Sequence, residues 1–76
     1  MMDAQRLVAM VNDIAAFFDS EPDKAMAAEG VRQHLQKFWA PRMRQEIVAH
    51  LRSGGAGLTP TACAAIEKLG AGASRS

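Results

Sequence analysis

From Leu7 onward the chain places apolar residues three and four positions apart, at Leu7, Met10, Val11, Ile14, Phe17 and Phe18. That spacing makes one face of a helix. Asp3 is an N-cap candidate, Arg6, Asn12, Asp13 and Asp19 lie largely off the stripe, and Val8 and Ala15 widen it. An amphipathic helix with a broad apolar face is therefore predicted over about residues 3–19. Ser20-Glu21-Pro22 stops it, and Pro22 suits the first turn of a second helix, with Glu21, Asp23 and Glu29 biased toward its start or middle. Ala25 to Ala28 favour that helix, whereas Gly30 costs about 1 kcal/mol relative to alanine in a helix interior. The reading adopted is one continuous helix through Gly30. Its stripe resumes at Val31, His34 or Leu35, Phe38 and Trp39, with Arg32, Gln33, Gln36 and Lys37 on the other sides.

Pro41 disfavours helical geometry at Ala40, so the second helix should end near Trp39 or Ala40 and a third should start at Pro41. Met43, Ile47 and Leu51 recur four apart, joined by Val48, and Glu46 is spaced to pair with Arg42 across one turn. Ser53-Gly54-Gly55 offers left-handed positions for a stop, and Gly54 to Gly57 reads as a flexible connector. Thr59-Pro60 is an N-cap followed by a first-turn proline, which opens a fourth helix with an apolar stripe of Ala62, Ile66 and Leu69. Gly70 is the expected stop. No period-two alternation and no hairpin signal occurs, so the fold class is all-α, a small bundle of three to four short helices. Residues 1–70 are read as a single helical domain and 71–76 as a flexible C-terminal tail.

Composition narrows the function classes. At 76 residues the chain makes one domain, which buries only about 60% of its unfolded surface, so a partner would add stability. With 49% hydrophobic and 22% charged residues it is globular rather than disordered. Nine Lys and Arg against eight Asp and Glu give +1, which leaves no global field to attract nucleic acid or an anionic membrane. Asn12, Asp13 and Asp19 interrupt the first apolar segment well short of the ~20 residues of a membrane span. The single Cys63 forms no internal disulfide, and no cationic start leads into an apolar signal core. A cytoplasmic location is expected.

Catalytic chemistry finds little support. His34, His50 and Cys63 show no zinc-binding spacing, and Cys63 in its alanine-rich run reads as a small buried hydrophobe rather than a nucleophile. The acidic residues have no spacing that pairs two carboxylates, and the glycine run follows a helix and lacks the Gly-Lys-Ser/Thr ending of a phosphate loop. No metal and no catalytic residue is expected in this chain.

Lys37-Phe38-Trp39-Ala40-Pro41-Arg42-Met43-Arg44 concentrates the only tryptophan, a phenylalanine, a proline and three basic side chains in eight positions. Phe38 and Met43 are assigned to the core and Pro41 to the angle between two helices. Trp39, one position further round, is assigned to the rim as an apolar anchor, with Arg42 and Arg44 as hydrogen-bond donors to a partner. The candidate partner-binding residues are thus Trp39, Arg42 and Arg44, supported by Phe38, Pro41 and Met43. The broad face of the first helix, with Phe17 and Phe18, also fits a homodimer of the isolated chain.

Three strings carry a resemblance: Leu7-Val8-x-Met10-x-Asn12-x-Ile14-Ala15-x-Phe17-Phe18; His34-Leu35-x-x-Phe38-Trp39-x-Pro41-Arg42-Met43-Arg44; and Ala49-His50-Leu51-x-x-Gly54-Gly55-x-Gly57-Leu58-x-Pro60. Over about residues 6–69 the chain resembles the delta subunit of NAD-dependent, molybdenum-containing formate dehydrogenases. The resemblance implies a non-catalytic accessory subunit of a bacterial cytoplasmic complex that oxidises formate and reduces NAD, or runs the reverse reaction. It also implies that the molybdenum cofactor, iron–sulfur clusters, FMN and NAD are carried by the larger subunits, with none in this chain. The expected partners are those larger subunits, chiefly the molybdenum-containing one. A molybdenum-cofactor handling or maturation factor, and a freestanding helical adaptor or weak nucleic-acid binder unrelated to formate, stay open as alternatives.

Overall fold

Asp3 opens the first helix: its backbone is extended and its carboxylate accepts from the Gln5 amide at 3.0 Å. The computed structural model describes residues 3–73 and contains four helices, α1 (Ala4–Phe18), α2 (Lys24–Phe38), α3 (Pro41–Arg52) and α4 (Pro60–Ala73), with no strand among the described residues. The all-α expectation holds. Residues 74–76, part of the expected flexible tail, lie outside the described residues.

Each helix start is explained by a side-chain cap or a first-turn proline. Asp23, not Pro22, opens α2: its carboxylate accepts from the amides of Ala25 and Met26, and Pro22 stands one residue before it. An aspartate cap satisfies two of the unpaired first-turn amides, whereas a proline at the first helical position satisfies none. Pro41 is the first residue of α3, as its fixed φ favours. Thr59 caps α4 through its hydroxyl, which accepts from the Ala62 amide at 3.3 Å.

Gly30 does not break α2. A Cβ on Gly30 would stand 2.6 Å from Cε1 of Phe18, so the Phe18 ring of α1 packs directly on the α2 backbone, and glycine permits that approach. Gly70 has a similar role. It does not end α4, which continues to Ala73; it is buried, and a Cβ there would be 3.1 Å from Val48 Cγ1 of α3. The helix continues because the close approach of α3, not a left-handed cap, is what this glycine serves.

The segment between α3 and α4 is pinned rather than loose. Gly55 donates to His50 O at 2.9 Å and Gly54 to Leu51 O at 3.1 Å, the paired bonds of a Schellman stop, with φ of 130° at Gly54 and 66° at Gly55. From α1, Asn12 Nδ2 donates to Gly57 O at 2.8 Å and Asn12 Oδ1 accepts from the Thr59 amide at 3.1 Å. His50 Nε2 also lies 2.9 Å from Ala56 O. A second tie joins the far end of α1 to its neighbours: Thr61 Oγ1 donates to Asp19 Oδ1, and Lys24 Nζ donates to Asp19 O at 2.9 Å.

The core is built from Leu7, Val11 and Ala15 of α1, Val31 and Leu35 of α2, Ile47 of α3, and Ala62, Ala65, Ile66 and Leu69 of α4. Packing is most extensive between α2 and α4, whose contributions include Ala28, Ala62 and Ala65. Short side chains at such positions let helix axes approach closely. Helix α1 lies against all three of the others.

Candidate functional site

The Val31 row of α2 decides the corner. Positions four apart stack on one face of a helix, and from Val31 they run through Leu35 to Trp39, all three buried. Trp39 is 6% exposed and belongs to the core, whereas Phe38 is 72% exposed. This reverses the assignment of Phe38 to the core and Trp39 to the rim: Phe38 instead continues the row from Gly30 and His34, one position off the buried stripe. At Trp39 the chain leaves the helix, with an extended backbone and its amide donating to Leu35 O at 3.0 Å.

Arg44 closes the corner from α3. Its Nη1 donates to Trp39 O at 2.5 Å and to Gln36 O at 3.3 Å, so it satisfies carbonyls at the end of α2 that lack intrahelical partners. That makes Arg44 an internal brace in addition to whatever its outer face reaches. Arg42 and Pro41 are exposed and Met43 is half-buried against the core. No ion pair joins Arg42 to Glu46 among the described residues. Charge pairing centres on Glu29, which takes Arg32 Nη2 at 2.6 Å on its own helix and Lys68 Nζ at 3.4 Å from α4. Hydrogen bonds from Arg32 first and Gln33 next hold the Glu29 carboxyl down to about 2, and the Glu29 bond raises Arg32.

Two surfaces stand out. The first is apolar. Among the described residues the exposed large hydrophobics are Met10 and Phe17 on α1 and Met26 and Phe38 on α2, with none from α3 or α4. Phe17 and Phe38 belong to one ridge: Phe17 meets Phe18 edge-on with ring centroids 5.3 Å apart, Phe18 covers Gly30, and His34 lies one turn further on with its ring centroid 4.8 Å from that of Phe38. Met26 precedes Gly30 by one turn on the same row. Sequence periodicity found the breadth of the α1 stripe but did not single out Phe17 as its exposed end, at 78%.

The second surface is a groove of about 520 Å³ between α2, α3 and α4, and its four charged lining residues among the described ones are all cations: Arg32, Arg44, Arg52 and Lys68. Of the residues taken from sequence as partner-binding, Arg44 and Pro41 line it; Phe38 lies on the apolar ridge. Linear sequence could not reveal the groove, because its cations come from three helices.

Cys63 is free and half-buried in α4, and His50 is engaged with the Ala56 carbonyl. No group of three or more His, Cys, Asp or Glu able to hold a metal ion occurs among the described residues. No helix of the described residues is long and apolar enough to cross a membrane.

Compared with known protein families, residues 6–66 match the family described as NADH-dependent formate dehydrogenase delta subunit FdsD. Neither the curated proteins nor the solved structures give a match.

Proposed function

The chain belongs to the NADH-dependent formate dehydrogenase delta subunit family, and from that premise we propose that it is a non-catalytic subunit that docks on the larger, molybdenum-containing subunit and supports assembly or stability of the complex. The observation that carries this reading is the apolar ridge of Phe17, Phe18, His34 and Phe38, with Met26 on the same row of α2 and Met10 also exposed on α1. A monomer of this size has little reason to hold two phenylalanines more than 70% exposed on adjoining helices, and a subunit of a larger assembly does. Phe17 and Phe38 replace Trp39 as the apolar anchors. Arg42 and Pro41 are exposed just beyond Phe38 in the chain, and the buried Trp39 and half-buried Met43 hold that corner in shape.

The redox groups are assigned to other subunits. Cys63 is the chain's single cysteine, and a cluster held by four thiolates does not fit that donor set. In isolation the same apolar ridge would bring two copies together, a dimer that sedimentation at several concentrations measures. The docking test is hydroxyl-radical footprinting of the full chain, free at concentrations where sedimentation finds the monomer, and in the complex. Met10, Phe17, Met26 and Phe38 are expected to lose most of their oxidation on assembly; unchanged oxidation at Phe17 and Phe38 would overturn the assignment.

A further inference from the structure

Beyond the apolar ridge, we infer that the cationic groove between α2, α3 and α4 is a second docking surface, which receives an acidic polypeptide segment of a neighbouring subunit; the choice of a subunit as occupant rests on the family reading above.

Three observations support it. First, the groove concentrates positive charge that the whole chain does not have. Among the described residues the four charged ones lining it are all basic, in a chain whose net charge is +1. Glu29 offsets Arg32 and Lys68 from outside the lining, and no carboxylate among the described residues pairs with Arg44 or Arg52. Arg44 spends one nitrogen on the carbonyls of the corner and retains further donors.

Second, the groove is long. Pro41, Arg44, Gln45, Val48 and Arg52 of α3 all line it, so it follows a single face of that helix from end to end. At 1.5 Å per residue, Pro41 to Arg52 spans roughly 16 Å, the reach of about five residues of extended chain. A compact anion such as a phosphate group is best held by converging donors, above all backbone amides at a helix N-terminus. Here the cations are strung out along helix sides, and Val48 and Leu69 supply an apolar floor between them. That arrangement suits spaced carboxylates on a peptide with apolar residues between them.

Third, the groove is independent of the ridge. At about 100° per residue, Arg32 and Gln36 lie roughly 180° around α2 from the row of Gly30, His34 and Phe38. Helix α1, which carries half the ridge, contributes nothing to the groove. Two separate contacts on one small subunit let it bridge two surfaces of a larger assembly.

The test measures binding of the complex, prepared without this chain, to the immobilised full-length chain across a range of salt concentrations. Arg52→Glu, and Arg52→Glu with Lys68→Glu, are compared with Phe17→Ala/Phe38→Ala. Each variant is first checked for an unchanged helical spectrum, and Arg52→Gln serves as the milder form if a reversal impairs folding. Groove reversal is expected to weaken binding by about tenfold or more at low salt and to flatten its salt dependence, since charged contacts are screened over about 10 Å at 0.1 M. The phenylalanine variant is expected to bind more weakly at every salt concentration while keeping the wild-type slope. Unchanged affinity and slope for both groove reversals and for Arg52→Gln would overturn the groove proposal and leave the ridge standing. A weakened groove variant beside a neutral phenylalanine variant would do the opposite. Octaglutamate and inorganic pyrophosphate are then used as competitors. Competition by octaglutamate at the lower concentration supports a peptide occupant, and competition by pyrophosphate at the lower concentration overturns it in favour of a compact anion.

Discussion

Gly30→Ala sets two known effects against each other at one atom. Alanine is favoured over glycine in a helix interior by about 1 kcal/mol, so on propensity alone the substitution should stabilise α2. The added Cβ would, however, meet the Phe18 ring, with Cε1 at 2.6 Å, Cδ1 at 2.7 Å and Cζ at 3.2 Å, against the 3.4 Å or more of ordinary contact. The ring must move by most of an ångström, and Phe18 is half-buried against the core with an edge contact to Phe17. Overpacking of this kind costs about 1–3 kcal/mol, so the net change is a loss of up to about 2 kcal/mol. For a 60–100-residue domain each kcal/mol moves the midpoint by about 4–8 °C, well within reach of a thermal melt followed by circular dichroism. In a Phe18→Leu background the obstruction shrinks, and Gly30→Ala should become neutral or stabilising, which gives a coupling of about 1–2 kcal/mol in a double-mutant cycle. If Gly30→Ala raises the wild-type melting temperature by the full propensity gain, the ring does not sit on this glycine and the ridge between α1 and α2 is wrongly drawn.

Three further outcomes follow from the same geometry. Asn12→Ala removes both bonds that clip the glycine segment to α1 and should cost about 1–3 kcal/mol, at roughly 0.5–1.5 kcal/mol per bond, with the amides of residues 54–59 exchanging faster. Arg44→Ala leaves the end carbonyls of α2 without their brace and should lower stability by about 1 kcal/mol in urea unfolding, modest because the site is partly open to water. The Glu29 carboxyl is depressed in the folded state, so its contribution is present above the unfolded value of 4.5 and is lost as pH falls toward about 2. Acid titrations of wild type and Glu29→Gln should therefore differ in slope between those pH values and run parallel above them, more so at low salt.

Helix identity and order were legible because periodicity and caps are local signals: Asp3, Pro41 and Thr59 act where the sequence places them. Apart from the opening of α2, where a local aspartate cap outdoes the neighbouring proline, most failures come from contacts between helices that the local pattern does not specify. Gly70 looks like a stop until Val48 is seen against it. Gly54 to Gly57 look loose until Asn12 is seen holding them, from 45 residues away at Gly57. Trp39 and Phe38 are adjacent, and periodicity left both His34 and Leu35 as candidates for the same stripe. Only the burial of Leu35 selects the row that ends at Trp39 and sends Phe38 outward. Arg44 was recognisable as a hydrogen-bond donor, but not that its first acceptors are in its own chain.

The most direct test of the account is the affinity of the full chain for the rest of the formate dehydrogenase complex, measured with Phe17→Ala/Phe38→Ala against wild type. Both rings are exposed in the free chain, so the variant should fold with nearly unchanged stability. Burying a phenylalanine at an interface contributes about 1.5–3 kcal/mol, and at 1.4 kcal/mol per decade the pair should weaken binding by about a hundredfold or more. A folded double variant that binds as tightly as wild type would contradict docking through this ridge.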